Sequence, residues 1–216
     1  LDVEAAGRLC AEHGVLFCLD AIQSLGLLPL DVRAARVDFL AAGGQKWLCA
    51  GEGSALLYCG KEHLPHLAPP VLGWRNVQDV GDTAPYPTRL HPSALRFEAG
   101  APNTPGILAL GAAIDLALEL EVERIACRVD ALTRHLVEGL RGAGAHIVAP
   151  RAPGRRSGIV AFRLPVEPAE QTAARLNRQG VVTRVRRGAV RLAPHYYLRE
   201  AELDHVLQLI ASPPGA

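Results

Sequence analysis

The sequence predicts an α/β protein built from two parts, and three observations lead to this prediction. Short apolar runs that end at a polar residue or a glycine alternate with helical patterns in the first half of the chain. Two consecutive helices follow in the middle, one rich in Gly, Ala and Leu and the other charged. The last third alternates strands and helices, as a small α+β domain does. We therefore predict one part at residues 1–115 and a second at 116–216.

The first elements place an acidic residue at the end of a strand. Residues 1–13 carry apolar side chains at roughly helical spacing and stop at Gly14, which predicts a helix closed by a glycine cap. The uniformly apolar run at 15–19 predicts a buried parallel strand. Asp20 would then lie at the carboxyl end of that strand, where α/β sheets bind ligands.

The next elements lead to a lysine that follows two glycines. Asp31 is expected to cap a short helix that ends at Ala35. Residues 38–42 form a second short apolar run, which predicts a strand that leads into Gly43 and Gly44. Lys46 stands just beyond this turn.

The remaining elements follow the same patterns of periodicity and breakers. They are a strand at 54–59, an irregular connection at 63–93, a buried helix at 104–120, an exposed charged helix at 121–140, strands at 158–164 and 180–185, helices at 168–179 and 199–210, and a disordered end at 212–216.

Composition excludes several classes of function. The chain has 216 residues, of which 49% are hydrophobic, and its 23 Lys and Arg nearly balance its 22 Asp and Glu. A near-neutral chain gives no electrostatic reason to expect nucleic acid or a membrane surface as a partner. No apolar run is long enough to span a bilayer, and no signal peptide is visible. Five cysteines without metal-ligand spacing favour reduced thiols, no metal and a cytoplasmic location.

Methionine is absent from the chain, which begins directly inside the first helical pattern. A natural gene product is expected to begin with Met. The expectation is therefore that this chain is the carboxy-terminal fragment of a longer polypeptide.

Three residues of the first part suit the chemistry of pyridoxal phosphate (PLP). A lysine amine such as that of Lys46 attacks a carbonyl when partial burial beside cationic groups favours its neutral form. A carboxylate such as that of Asp20 keeps the PLP ring nitrogen protonated, and the cofactor then acts as an electron sink. Gln23 could donate to the phenolate oxygen of the ring. Each residue also has a simpler reading, since a strand-end Asp is often a turn former and a lone Lys is often solvated.

Three stretches of the chain resemble the class V aminotransferase family, which includes cysteine desulfurases, kynureninases and isopenicillin N epimerase-like enzymes. Residues 16–58 (LFCLDAIQSLGLLPLDVRAARVDFLAAGGQKWLCAGEGSALLY) resemble the lysine region of that family. The resemblance continues through 96–115 and 190–207. It implies the fold type I of PLP-dependent transferases, called aspartate aminotransferase-like, with 1–115 as the carboxy-terminal part of the PLP-binding large domain and 116–216 as the small domain.

The resemblance also assigns roles to four residues. It implies that Asp20 pairs with the pyridine nitrogen, that Gln23 meets the phenolate oxygen and that Lys46 forms the internal aldimine. The arginine of the family that binds the substrate carboxylate corresponds to Arg191. A planar guanidinium suits bidentate binding of a carboxylate, so the chemistry agrees with this assignment.

The sequence departs from the family pattern at positions that bear on the cofactor and the reaction. Gln45 precedes the lysine where relatives have His, so an amide would contact the cofactor. Ala101 stands where relatives have a Thr that reaches the phosphate, which predicts weaker phosphate anchoring. Desulfurases need a nucleophilic cysteine on a small-domain loop, and residues 184–191 contain none. Desulfurase activity is therefore disfavoured.

The expected protein is a homodimeric PLP enzyme that acts on an amino acid by transaldimination at Lys46, followed by abstraction of the α-proton. Transamination, epimerisation and elimination all stay open. The phosphate-binding loop and the ring-stacking residue would lie upstream of Leu1, so we expect this chain alone to bind PLP weakly and to be inactive. The alternatives are a non-catalytic relic that serves dimerisation or partner binding, and an unrelated α/β binding domain. The arginine runs at 151–156 and 184–187 are interpreted as solvated surface, with Arg184 or Arg186 a lesser candidate for substrate contact.

Overall fold

The chain forms two compact units. The computed structural model describes residues 2–78, 89–148 and 157–212. The first unit comprises Leu1–Glu119 and the second Leu120–Ala216. The predicted boundary between residues 115 and 116 falls inside the helix that ends the first unit.

The first unit contains a three-stranded mixed sheet. Strand β1 pairs in parallel with β2, and β2 pairs antiparallel with β3, so that β2 is central. Two short 3-10 helices, at Lys61–His66 and Ala94–Phe97, follow β3. The regular elements are α1 (Val3–Glu12), β1 (Cys18–Asp20), β2 (Phe39–Gly43), β3 (Ala55–Cys59) and α2 (Thr104–Leu120).

Helix α1 begins and packs as its sequence dictates. The Asp2 carboxylate accepts a hydrogen bond from the backbone N–H of Ala5 at 2.9 Å, which caps the helix. The chain leaves the helix through Gly14, whose φ of 64° favours glycine. Gly7 lies against the turn before β2, because a Cβ at this position would be 1.9 Å from the carbonyl oxygen of Ala35. Any larger residue at position 7 would push the helix away from this turn.

The predicted parallel strand with Asp20 at its carboxyl end is confirmed, but it begins three residues later than predicted and is mostly not buried. The strand spans Cys18–Asp20, and only Leu19 among these residues is buried. Val15 and Leu16 are 56% and 60% exposed. Among the described strands β1 pairs with β2 alone, so one edge of β1 is open and the residues before it have no sheet to pack against.

The helix predicted from Asp31 to Ala35 is a single turn. The Asp31 carboxylate accepts from the backbone N–H groups of Arg33 and Ala34, at 2.8 and 3.1 Å. The hydrogen bonds from Ala34 and then Arg33 lower the pKa of this carboxyl group. The turn ends at Arg36, which has a φ of 51° and therefore leaves the helical conformation. The capping residue was predicted correctly, but the sequence after it does not continue a helix.

Asp38 ties the beginning of β1 to the segment after β3. One carboxylate oxygen accepts from the backbone N–H of Phe17 at 2.7 Å, and the other lies 2.7 Å from Nε2 of His63. A carboxylate oxygen of Glu62 lies 3.8 Å from the same Nε2. Nearby, burial raises the pKa of the Cys59 thiol. We interpret this cluster as a structural clamp that fixes the order of β1, β2 and β3.

Helix α2 has the predicted bounds but not the predicted burial. Of its 17 residues only Leu110 and Ala117 are buried, whereas Leu108 and Leu118 are 69% and 65% exposed. A helix that is apolar on all sides is normally covered on all sides. In this chain the described residues cover one side of it.

The second unit is a four-stranded antiparallel sheet covered by helices. The strands run in the order β4-β5-β7-β6. Residues of α3, α4, α5 and one face of the sheet form a single apolar core, centred on Phe162, Leu136 and Leu176. The elements are α3 (Val122–Gly142), β4 (His146–Ile147), β5 (Val160–Arg163), α4 (Ala169–Arg178), β6 (Arg184–Arg186), β7 (Ala189–Leu192) and α5 (Glu200–Ala211).

A nearly buried ion pair lies beside this core. Arg175 donates to both carboxylate oxygens of Glu167, at 3.1 and 2.6 Å, and to the carbonyl of Leu209 at 2.5 Å. The hydroxyl of Thr172 lies 2.9 Å from the same carboxylate. The hydrogen bonds from Arg175 lower the pKa of Glu167, and the carboxylate in turn raises the pKa of Arg175. The pair joins the start of α4 to the end of α5.

Most predicted elements of the second unit are confirmed to within a few residues, including the charged helix, which exposes its polar face and buries an apolar one. The strand predicted at 180–185 begins later, at Arg184, and strands β4 and β7 were not predicted. Three predictions from the sequence lie wholly or partly outside the described residues: the arginines at 151–156, residues 79–88 of the predicted irregular connection, and residues 213–216 of the end that was predicted to be disordered. Within the described ranges, no helix combines the length and the apolar character needed to cross a membrane.

Candidate cofactor site

Asp20 is the last residue of β1 and Lys46 follows β2, so both lie at the same edge of the sheet, where these parallel strands end. Asp20 is paired in register with Ala41, and the backbone N–H of Ala21 donates to the carbonyl of Ala41 at 2.9 Å. Strand β2 ends two residues after Ala41, at Gly43, and the turn that carries Lys46 begins there. Because the strands are parallel, both carboxyl ends open on one side of the sheet.

The turn that contains Gln23 packs against the segment that follows Lys46. Gly26, with a φ of 84°, lies so close to this segment that an added Cβ would be 3.0 Å from the backbone carbonyl of Trp47 and 2.9 Å from the side chain of Leu48. Trp47 and Leu48 are both buried. This packing brings the loops after β1 and β2 together and so holds Gln23 and Lys46 in one region.

The turn at Lys46 is fixed by backbone hydrogen bonds and by close packing. The N–H of Gly44 donates to the carbonyl of Ser54, and the carbonyl of Gly44 accepts from Ala50, both at 2.9 Å. A Cβ at Gly44 would lie 2.9 Å from the side chain of Leu110 on α2 and from that of Ala50. The glycine therefore permits a tight approach of the turn to the helix, which positions the lysine without burying it.

The functional groups at this edge are exposed and available to a ligand. One carboxylate oxygen of Asp20 accepts from the backbone N–H of Ile22 at 3.0 Å, a contact that orients the side chain. Asp20, Gln23 and Lys46 are all exposed. In the described part of the chain, the Lys46 amine has no hydrogen bond or ion pair, and neither does the amide of Gln23.

Gln45 and Ala101 flank this region, and neither side chain supplies an anchoring group to it. The side-chain oxygen of Gln45 folds back over Gly43, where it lies 2.3 Å from the position of an added Cβ. Ala101 is exposed, and its methyl group offers no hydrogen bond. Two residues further on, the amide of Asn103 donates to the carbonyl of Gly53 at 3.0 Å and accepts from the N–H of Gly106 at 3.2 Å. Asn103 thereby ties the start of α2 to the loop before β3.

Arg191 lies in the second unit, on β7. It is paired with Arg184 on one side and with Ala161 on the other. It is partly buried, and no hydrogen bond or ion pair of its guanidinium is found among the described residues.

Three residues that were not among the predicted cofactor or substrate ligands build the site. Gly26 and Asn103 hold the loops in place, and buried Ser54 supports the lysine turn with its backbone carbonyl. The glycine between two leucines could have been recognised as a positive-φ position. The other two contacts join residues distant in sequence, and no local pattern marks them.

The donor set at the sheet edge fits PLP. It contains a carboxylate for a ring nitrogen, an amide donor for a phenolate oxygen and a primary amine that can bond to an aldehyde carbon. Described residues provide no comparable group for the phosphate at this edge.

Solved structures show which fold this is. A cysteine desulfurase from Thermococcus onnurineus NA1 superposes with a TM-score of 0.89 at 28% identity, over 97% of this chain and 55% of the other. A variant of C-DES with glycine covalently linked to its PLP cofactor superposes with a TM-score of 0.88 at 25% identity, over 98% of this chain and 56% of the other. The α/β fold is therefore fold type I of the PLP-dependent enzymes, as predicted.

Sequence comparisons give the family. The Aminotransferase class-V model matches residues 1–203. An uncharacterized aminotransferase, YcbU, of Bacillus subtilis is 32% identical over 211 residues, which are 98% of this chain and 55% of the relative. A probable cysteine desulfurase of Pyrococcus abyssi is 31% identical over 85% of this chain and 45% of its own length. The chain belongs to the PLP-dependent class V aminotransferase family, and it spans about half the length of these relatives.

Proposed function

We propose that the whole protein is a PLP-dependent enzyme that acts on an amino acid and that Lys46 carries its cofactor. The observation that supports this proposal is the convergence of Asp20, Gln23 and Lys46 at one edge of the first unit's sheet. In the proposed arrangement Asp20 faces the ring nitrogen, Gln23 donates to the phenolate oxygen and Gln45 contacts the cofactor from the residue before the lysine.

Each of these residues has a definite task in the reaction. PLP, when bound, supplies an electron sink for the charge that forms at the substrate α-carbon. The Asp20 carboxylate keeps the ring nitrogen protonated, and the contact from Ile22 fixes the direction of this carboxylate. The Lys46 amine removes or returns the α-proton. Arg191 binds the substrate carboxylate through two parallel hydrogen bonds.

The reaction type is transamination, epimerisation or elimination. Relatives include proteins described as cysteine desulfurases, but the cysteines of this chain argue against that reaction here. Four of the five (Cys10, Cys18, Cys49 and Cys59) belong to the first unit, and Cys127 lies on the regular helix α3. The two-residue turn between β6 and β7, Arg187-Gly188, contains no thiol.

We also propose that residues 1–115 belong to the large cofactor-binding domain, that 116–216 form the small domain and that the whole protein is a cytoplasmic homodimer. Leu108 and Leu118 of α2 are exposed in this chain. Large exposed apolar side chains mark surfaces that a protein partner covers, so they support the homodimer. Light scattering of the purified whole protein measures its oligomeric state directly.

Reductive trapping tests the assignment of the lysine. The chain contains only two lysines, Lys46 and Lys61, and both are exposed. The whole protein is mixed with PLP, its visible absorbance is recorded, and the adduct is reduced with borohydride and mapped by peptide mass spectrometry. We expect the label on Lys46 and loss of the visible band in Lys46→Ala, with Lys61→Ala unchanged. A label that is equal on both lysines would show nonspecific reaction and refute the assignment.

The second candidate is a non-catalytic relic of the same fold. Gln45 and Ala101 favour it, because they replace the His and the Thr whose contacts to the cofactor or its phosphate the family resemblance implies at those positions. Under this alternative the whole protein folds and dimerises but shows no Lys46-dependent absorbance at saturating PLP.

A further inference from the structure

One face of the sheet in the second unit is strongly cationic. Residues paired across antiparallel strands share a face, so the register places four arginines and one histidine on the face opposite the apolar core. These residues are Arg163, Arg184, Arg186, Arg191 and His146. The only other residues at this face of the four strands are Ala161 and Ala189, so no acidic side chain of the strands shares it.

Two of these arginines form a directly opposed pair. Arg184 on β6 is the register partner of Arg191 on β7. Side chains of such a pair start about 5 Å apart, and like charges at these positions destabilise a sheet. The arrangement therefore has a cost in the unliganded protein, which an anion bound between the two guanidinium groups would relieve.

The described residues do not satisfy these two guanidinium groups. Among the described residues, Arg184 makes one long hydrogen bond, of 3.4 Å, to the carbonyl of Thr183, and the guanidinium of Arg191 makes none. Arg163 differs from them, because it donates to the carbonyls of Gly188 and Arg187 at 2.8 and 2.9 Å and so serves to hold the β6–β7 turn. Arg184, Arg186 and Arg191 are thus the arginines of this face that are available to a ligand, and of these three only Arg184 and Arg191 are directly opposed across the two strands.

We infer that Arg184 and Arg191 bind two carboxylates of one ligand and that the substrate is an α-amino dicarboxylic acid such as aspartate or glutamate. This inference rests on the proposed function, in which Arg191 holds the α-carboxylate. A single carboxylate carries one negative charge, so it neutralises one guanidinium and leaves the second positive charge uncompensated. A second carboxylate on the same molecule matches the second guanidinium. Arg184 is therefore a specificity-determining residue.

Binding of two ligands that lack the α-amino group, and so cannot react with PLP, tests this assignment without measuring enzyme activity. Succinate and succinamate have nearly the same size, but succinamate has a neutral amide in place of one carboxylate. Titration calorimetry of the whole protein measures the ratio of their dissociation constants. We expect succinate to bind roughly ten-fold or more tightly than succinamate, because the neutral amide of succinamate cannot form the second charge-assisted pair with a guanidinium.

Variants assign the selectivity to the opposed pair. Arg184→Gln should remove the preference for succinate and leave the affinity for succinamate within about two-fold, since the arginine lies at an exposed strand position. Arg178→Gln is the matched control, because it removes the same charge from an exposed position on α4. Equal binding of the two ligands by the unmodified protein, binding of neither, or equal loss of selectivity in Arg178→Gln would each overturn the inference.

The absorbance of the same preparation with PLP separates the two hypotheses. If the band that depends on Lys46 forms but the ligand selectivity is absent, then the inference about the substrate fails and the proposed function stands. If the selectivity is present and the band is absent, then the proposed function fails and the paired arginines bind dicarboxylates for another purpose.

Discussion

Removal of Arg175 should destabilise the second unit by about 3 kcal/mol. The side chains of Arg175 and Glu167 are only 10% and 12% exposed, so the substitution Arg175→Met leaves a carboxylate that is almost buried and has lost two charge-assisted hydrogen bonds. Breaking a buried pair by removing one partner costs about 3–5 kcal/mol. We expect the lower end of this range, because Thr172 still lies within hydrogen-bonding distance of the carboxylate.

Urea denaturation followed by circular dichroism measures the loss. Tryptophan fluorescence serves as an internal control, since Trp47 and Trp74 both lie in the first unit. The double variant Glu167→Leu/Arg175→Met should be more stable than Arg175→Met, because it removes the unpaired charge together with its partner. A loss below about 1 kcal/mol in the single variant, or a double variant whose loss equals the sum of the two singles, would refute the reasoning.

The difference in stability between the unmodified protein and Arg175→Met should depend on pH with a definite sign. The pKa of Glu167 is lowered in the folded state, chiefly by the hydrogen bonds from Arg175. The stability contributed by the pair is therefore fully present above the ordinary pKa of 4.5 and is lost as the pH falls through the lowered value. The difference between the unmodified protein and Arg175→Met should shrink over that acidic range, and a difference that grows there would contradict the proposed cause.

Two further substitutions test how the first unit is held together. Gly26→Ala should lower both stability and PLP uptake, because it forces a side chain at a φ of 84° against the backbone of Trp47. Gly14 is the matched control, since it also has a positive φ but has open space around it. Gly14→Ala should cost only about 1–2 kcal/mol in stability and should leave PLP uptake unchanged. Asp38→Asn should lower the free energy of unfolding, measured by urea denaturation, by about 1–3 kcal/mol, because one carboxylate oxygen of the clamp becomes an amide nitrogen that cannot accept a hydrogen bond. The control Asp115→Asn, at an exposed position of α2, should lower it by less than about 0.5 kcal/mol.

The sequence predicted the order of elements and the placement of the key polar residues because both depend on local signals. Glycines and strand-end acids mark turns, and the pair Gly43-Gly44 before Lys46 was sufficient to place the lysine beyond a strand. The hairpin at Arg187 and Gly188 could also have been predicted from the sequence. Both residues have positive φ, and a two-residue turn that ends in glycine between alternating strands predicts such a hairpin.

Burial and close contacts could not be predicted in the same way. The apolar residues at 15–19 and in α2 have the composition of buried elements, but burial depends on which other segments cover them, and the described residues leave Val15 and Leu108 exposed. The approach of Gly26 to Trp47 joins two loops that follow different strands, so neither loop contains a signal for it. The proposed roles of Asp20, Gln23, Lys46 and Arg191 remain predictions.

The cationic sheet face has a consequence for how its affinity for an acid depends on pH, salt and chemical modification. Every strong cation of the second unit is a guanidinium, since both lysines of the chain lie in the first unit. Guanidinium groups keep their charge under all conditions in which proteins stay folded. The affinity of this face for an acid should therefore follow the ionisation of the acid and the ionic strength, and reagents that modify amines should leave the face intact.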